Sequence, residues 1–287
     1  MSFRTVGVAL LLLSVAACSS SGQPSVANLA PASAKLPAIL TAADATRAEG
    51  RFAEAMQIYQ EILVSDPKSI ATQYGVAECL LGLDKASDAK TMFDAISQTP
   101  EYRPRSLQGA GLAELALGQR EEAAKSLRDA AEADPSLWRA WNGLGLIADM
   151  KQEPKEAETI YRRALTINPK SAILHNNLGY SRLLAGIPDE AIAELREAFS
   201  LDPSSETVQN NYRLALAVKG RYAEAIRGVV KKNLAIILNN VGYVAMQRGD
   251  LSAAEGYLAR AMEVSPIFNT IASQNIEQLK AKKGESL

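Results

Sequence analysis

The sequence predicts an all-α chain, a solenoid of about seven helix-turn-helix units closed by a C-terminal helix. Three observations carry this. Six alanines, Ala55, Ala89, Ala123, Ala157, Ala191 and Ala225, stand 34 residues apart without a slip. Gly50, Gly118, Gly186 and Gly220 keep the same clock, and so do Pro67, Pro135, Pro169 and Pro203. A fixed period of this length marks stacked supersecondary units, each too small to bury its apolar face alone.

The composition agrees. Hydrophobic residues make up 47% and charged residues 22% of the 287 positions, which suits a folded body, while aromatics are only 6%. Abundant alanine favours helices that pack closely. The formal charge is −1, and the longest basic runs are Lys231-Lys232 and Lys282-Lys283. Nucleic-acid binding needs a clustered basic surface, so no nucleic acid is expected as a partner.

The N-terminus reads as an address. Arg4 supplies a positive start, Val6 to Val15 an apolar stretch, and small residues follow, the layout of a secretory signal peptide at 1–17. The uncharged run Thr5 to Ala17 is 13 residues, shorter than the roughly 18–20 that span a bilayer. Val15-Ala16-Ala17-Cys18 resembles the lipobox of bacterial lipoproteins. That resemblance implies that Cys18 is lipidated and becomes the first residue of the mature chain. It also implies the periplasmic face of the outer membrane, since Ser19 is not the aspartate that retains lipoproteins at the inner membrane. The membrane is then met through the lipid alone. Loss of 1–17 removes Arg4 and no acid, shifting the charge from −1 to −2. Residues 18–35 hold the lipidated cysteine and a Ser-, Ala- and Pro-rich flexible tether.

The repeat region is expected over 36–267, with units starting near Leu36, Ile70, Pro104, Trp138, Ala172, Glu206 and Ala235. In each unit a first helix carries Leu-Gly or a similar pair, as in Leu178-Gly179 and Val241-Gly242, where a second helix can cross closely. A glycine then turns the chain with positive φ. Pro154 and Pro188 fall in the first turn of the second helix, where proline costs little. Asp66-Pro67, Asp134-Pro135, Asn168-Pro169 and Asp202-Pro203 end the units, because the residue before proline is pushed out of the helical region. Units six and seven begin 29 residues apart, the Asp-Pro terminator is missing, and Lys232 replaces a small residue. This predicts a truncated second helix and a local change of curvature near 226–234. Residues 268–287 form a capping helix and tail, with Ile271, Ile276 and Leu279 docking on the last unit.

Trp141, Leu144, Gly145, Ala157, Tyr161, Ala164 and Pro169 resemble the tetratricopeptide-repeat pattern at its signature positions. The resemblance covers about 36–266 and implies a right-handed superhelix whose first helices line a concave face. The second, fifth, sixth, ninth and twelfth residues of each first helix tend to point there. The candidate protein-binding groove is accordingly Asn142 and Leu146 in unit four, Asn176, Asn177, Tyr180 and Leu183 in unit five, Asn210, Asn211 and Leu214 in unit six, and Asn239, Asn240, Tyr243 and Met246 in unit seven. An amide can donate and accept, so it can pair with a peptide backbone in either direction. The same asparagines could equally hold neighbouring repeats together.

No catalytic constellation is present. The one histidine, His175, has no second His or Cys for a metal, and nucleophile-elbow, P-loop and metalloprotease motifs are missing. Neither enzyme activity, cofactor, metal nor small-molecule substrate is expected. Cys79, at helical spacing with Val76 and Leu83, reads as buried and inert.

Signal, lipobox, short tether and consecutive repeats together are similar to the TadD family of tight-adherence (Flp) pilus assembly. The stretches NNLGYSRLLAGIPDEAIAELREAFSLDP and NNVGYVAMQRGDLSAAEGYLARAMEVSP carry that resemblance. It implies a pilotin-like role toward a secretin or other pilus and secretion components. The same architecture would also serve an adaptor for periplasmic cell-envelope enzymes, peptidoglycan hydrolases or proteases.

Overall fold

The computed structural model describes residues 32–265 and 269–284. The expected signal peptide at 1–17, the expected lipidation site Cys18 and most of the expected tether lie outside them. Every regular element described is a helix. The chain divides into two compact bodies, 1–151 and 152–287.

The first body holds α1 (Ala32–Ala48), α2 (Phe52–Ser65), α3 (Ile70–Gly82), α4 (Ala86–Ile96), α5 (Arg103–Ala116), α6 (Arg120–Ala133) and α7 (Trp138–Met150). The second holds α8 (Pro154–Ile167), α9 (Ala172–Leu184), α10 (Pro188–Leu201), α11 (Glu206–Val218), α12 (Tyr222–Ala225), α13 (Lys231–Arg248), α14 (Leu251–Val264) and α15 (Asn269–Lys283). The expected all-α repeat architecture is thus present: seven pairs of first and second helices, named A and B, and a closing helix.

The period is a packing code. The six clocked alanines are fully buried, each on a B helix. One turn further along, Tyr59, Phe93, Leu127, Tyr161 and Leu195 are fully buried too. Tyr59, Phe93, Leu127 and Leu195 occupy the space that glycines on A helices vacate. A Cβ on Gly179 would lie 2.6 Å from Leu195 Cγ, and one on Gly109 would lie 2.4 Å from the Phe93 ring. Small on A against large on B is how the layers interdigitate at interior density.

The turns follow the same clock with two departures. Gly50, Gly118 and Gly186 all have φ of 78°, Gly220 84° and Gly249 88°. At the corresponding places in units two and four the chain uses Asp84 and Gln152, at φ 59° and 62°. A side chain there costs roughly 1–2 kcal/mol, partly offset by glycine's extra freedom when unfolded. Gln152→Gly is therefore expected to stabilise by about 0.5–1 kcal/mol, and Asp84→Gly by less, because Asp visits this region more readily. Thermal melts of both variants check the order, and a loss on Gln152→Gly would refute the strain argument.

Each proline turn has a side-chain clasp from the fourth residue of the following A helix. Gln73 Nε2 donates to Pro67 O at 2.9 Å, Trp141 Nε1 to Pro135 O at 3.0 Å, and Gln209 Nε2 to Pro203 O at 2.9 Å. His175 Nε2 sits 3.1 Å from Pro169 O in the same role. Its Nδ1 lies 2.7 Å from Glu194 Oε2, so each ring nitrogen faces an acceptor within the fold.

The irregular sixth unit is shortened as the spacing predicts. α12 has 4 residues where α10 and α14 have 14. Arg213 closes its end, donating from Nη1 to the carbonyls of Ala225 at 2.7 Å and Arg227 at 3.0 Å. α13 begins at Lys231 rather than Ala235, filling part of the lost length with an added turn. In α15 the docking residues differ from expectation. Leu279 and Ala272 are buried and Ile276 is half-buried, but Ile271 is 52% exposed. Position 272, one residue later, is the one that turns toward α14 and α13.

Candidate protein-binding surface

The sequence predicts that the A helices present their asparagines to a partner, and the structure divides these residues into two sets. Asn176, Asn211 and Asn239 are buried. Asn211 Nδ2 donates to Asn176 Oδ1 at 2.9 Å, linking α11 to α9. Asn275 Nδ2 donates to Asn239 Oδ1 at 2.9 Å, linking α15 to α13. Asn176 Nδ2 also donates to Asn177 Oδ1 at 3.2 Å. These amides tie repeat to repeat, so the buried three serve the stack rather than offering free groove contacts. The corresponding link between α11 and α13 is missing: Asn210 and Asn240 are both exposed. The amide ladder breaks where α12 is cut short, because α13 no longer meets α11 in the standard register.

The apolar candidates also divide. Met246 is fully buried and Leu183 is 8% exposed, so both belong to the core and not to a contact surface. Tyr180, Leu214 and Tyr243 are half-buried, as are Asn142 and Leu146 on α7 of the first body. In the second body the accessible A-helix surface is thus Asn210 and Asn240 with partial exposure of Asn177, Tyr180, Leu214 and Tyr243.

The first body assembles a charged cluster that no sequence motif marks. Glu78 on α3 accepts from Arg139 Nη1 on α7 at 2.7 Å and from the Tyr74 hydroxyl at 2.9 Å. Arg47 on α1 lies 3.8 Å from the same carboxylate. Burial pushes the Glu78 carboxyl up, but Arg139, the Tyr74 hydroxyl and Arg47 outweigh it and hold it below the ordinary range. The available signal was positional: Arg47, Glu78 and Arg139 are the twelfth, ninth and second residues of their units, all groove-facing places. The carboxylate is fully engaged, so the cluster braces three A helices and supplies no acid or base. Cys79 next to it is buried, and burial pushes its thiol up to about 12, consistent with an inert side chain.

A second electrostatic motif recurs with its charges exchanged. Lys90 on α4 lies 3.4 Å from Glu114 on α5. Two periods later, Glu158 on α8 lies 3.0 Å from Arg182 on α9. The places correspond and the signs are reversed. Arg182 also binds Glu194 at 2.8 Å and Glu190 at 3.4 Å. Among the described residues no three His, Cys, Asp or Glu side chains gather as a metal site, and no helix is long and apolar enough to cross a membrane.

Family models described as tetratricopeptide repeat match residues 47–101 and 109–172. No curated protein matches the sequence. Several solved structures are similar. A thermophilic tetratricopeptide-repeat protein of Thermus thermophilus is 22% identical, with 66% of this chain and 98% of that one covered and a TM-score of 0.55. A tetratricopeptide-repeat protein of Parabacteroides merdae is 14% identical, with 85% and 99% covered and a TM-score of 0.52. The Cut9–Hcn1 hetero-tetramer of the APC/C is 16% identical, with 87% of this chain and 53% of that one covered and a TM-score of 0.59. At these identities the likeness is one of fold. The family matches identify residues 47–101 and 109–172 as tetratricopeptide repeats, and the solved structures show the same fold over more of the chain.

Proposed function

We propose that the chain is a lipid-anchored scaffold on the periplasmic face of the outer membrane, acting pilotin-like toward a tight-adherence pilus secretin. The observation that carries the reading is the order of parts: a signal stretch ending in Val15-Ala16-Ala17-Cys18, a short tether, then repeats throughout. Each buried CH₂ of an attached acyl chain contributes roughly 0.8 kcal/mol, and two or more chains hold a protein to a bilayer stably. Anchoring raises the local concentration of the repeats at the membrane, so a modest contact suffices to capture a partner segment. The repeats contribute surface and orientation, with no bond made or broken.

Cys18→Ser tests the anchor. The variant is expected to leave the outer-membrane fraction and appear soluble or mislocalised, with an unchanged circular-dichroism melt. Continued fractionation with the outer membrane would sink the lipidation reading. Pull-down of the native lipoprotein followed by mass spectrometry tests the partner. A secretin supports the pilotin role, whereas a peptidoglycan hydrolase or protease supports an envelope-enzyme adaptor.

The amides give a separate test of the A-helix surface. Asn210→Ala with Asn240→Ala should weaken capture of the recovered partner with little change in stability, since both side chains are exposed. Asn211→Ala should instead cost about 1–2 kcal/mol, because it strands the buried Asn176 oxygen. Unchanged capture by the double variant would remove these positions from the binding surface.

A further inference from the structure

The shortened α12 leaves one side of α14 bare. Alongside α14, where further turns of α12 would run, lies a cleft of about 340 Å³ lined by Tyr222, Ala253, Gly256, Tyr257 and Arg260. The four α14 residues follow i, i+3, i+4, i+7 spacing and so form one stripe. A Cβ built on Gly256 would meet nothing within 4 Å, so the floor of the cleft is open. Tyr222 and Tyr257 pack edge to face along one side of it, with ring centroids 5.8 Å apart. The Tyr222 hydroxyl is held by Asp250 and Arg248, which fixes its ring.

The chemistry of this stripe differs from that of the other B helices. At the same places α10 carries Glu190, Ala193, Glu194 and Glu197, and α6 carries Glu122, Lys125, Ser126 and Asp129. The α14 stripe has no acid. The link that replaces the lost turns presents Val230, 56% exposed, followed by Lys231 and Lys232. Among the described residues neither lysine nor Arg260 forms an ion pair, whereas nearby Arg221, Lys219 and Lys283 are paired with Glu224, Asp189 and Glu255. An apolar cleft lined by Arg260, with two further exposed lysines on the same body, is complementary to an apolar side chain flanked by carboxylates.

We propose that this cleft docks an acidic segment of a protein partner, with a large apolar side chain seated over Gly256 against the Tyr222–Tyr257 pair and a neighbouring carboxylate on Arg260. The site lies on the B-helix side of the second body and depends on neither the lipid anchor nor the pilus reading. Buried aromatic anchors with a charged rim are the usual source of affinity in such contacts.

The test is fluorescence anisotropy on the detergent-solubilised full chain, with a labelled peptide alternating glutamate and leucine and its lysine-for-glutamate counterpart. The glutamate peptide should bind and the lysine peptide should not. Gly256→Trp, which fills the open floor, and Arg260→Glu, a surface change, should each weaken binding about tenfold. Asn210→Ala with Asn240→Ala should leave it unchanged, which separates failure here from failure of the A-helix surface. No binding, equal binding of both peptides, or indifference to both substitutions would overturn the proposal. So would binding to phosphatidylglycerol vesicles without peptide binding, or a self-association that Gly256→Trp abolishes, since either names a different occupant.

Discussion

Phe93→Ala is expected to cost about 3–5 kcal/mol of stability, measured by urea unfolding, the largest loss expected from any single side chain. The ring is fully buried and meets Tyr74 edge-on, with centroids 5.7 Å apart and planes at 63°. Its far side fills the place where Gly109 has no side chain. Truncation opens a cavity that the structure is poorly able to close, because the spacing of α4 and α5 is also fixed by the Lys90–Glu114 pair and by Ala89, Ile96, Ala110 and Ala113 packed around the ring. Phe93→Leu should lose only about 1 kcal/mol, since leucine already serves at the equivalent places Leu127 and Leu195. A loss below about 1 kcal/mol for Phe93→Ala would mean that the helices collapse onto Gly109, against the small-on-large packing of the layers.

Arg182→Ala is expected to cost about 2–3 kcal/mol. The side chain is 6% exposed and holds three carboxylates, Glu158, Glu190 and Glu194, themselves 33%, 56% and 20% exposed. Removing the arginine they share leaves like charges facing one another, and their partial exposure is why the figure sits below that for a fully buried pair. The pH dependence separates this cause from simple loss of volume. Hydrogen bonds from Arg182, then Arg162, hold the Glu158 carboxyl below its ordinary range. A carboxyl lowered in the folded state stabilises above its unfolded pKa, and that contribution is lost as pH falls through the folded value. Wild type should therefore lose more stability than Arg182→Ala between about pH 5 and pH 3. Equal acid sensitivity would show that the ion pairs contribute nothing and that only packing was removed.

Much of the fold was legible because the packing positions repeat. Ala55 and its five counterparts are buried at every recurrence, and a glycine on A facing a large side chain on B recurs along the array, as at Gly111 with Leu127, Gly179 with Leu195 and Gly242 with Leu258. The shortened helix was legible too, since 29 residues are too few for two full helices and their turns. The candidate surface was much less so. Asn176 and Asn177 are adjacent in sequence, yet one is buried and the other half-exposed, and Asn210 and Asn211 divide in the opposite order. A rotation of about 100° per residue separates those neighbours, so the choice depends on how each A helix is turned against the next. Ile271 faces outward for the same reason.

By itself the sequence determined that this protein is a run of helical hairpins, where each turns, where one is cut short, and that Cys79 would be buried. Those are properties of chain conformation and of spacing within a unit. Only the tertiary structure decided which amides tie repeats together, that Glu78 and Arg139 meet across 61 residues, that the Lys90–Glu114 pair returns reversed as Glu158–Arg182, and that α14 is left bare beside α12. Partner choice between helices rests on their rotation and shift, and a 34-residue period leaves both free.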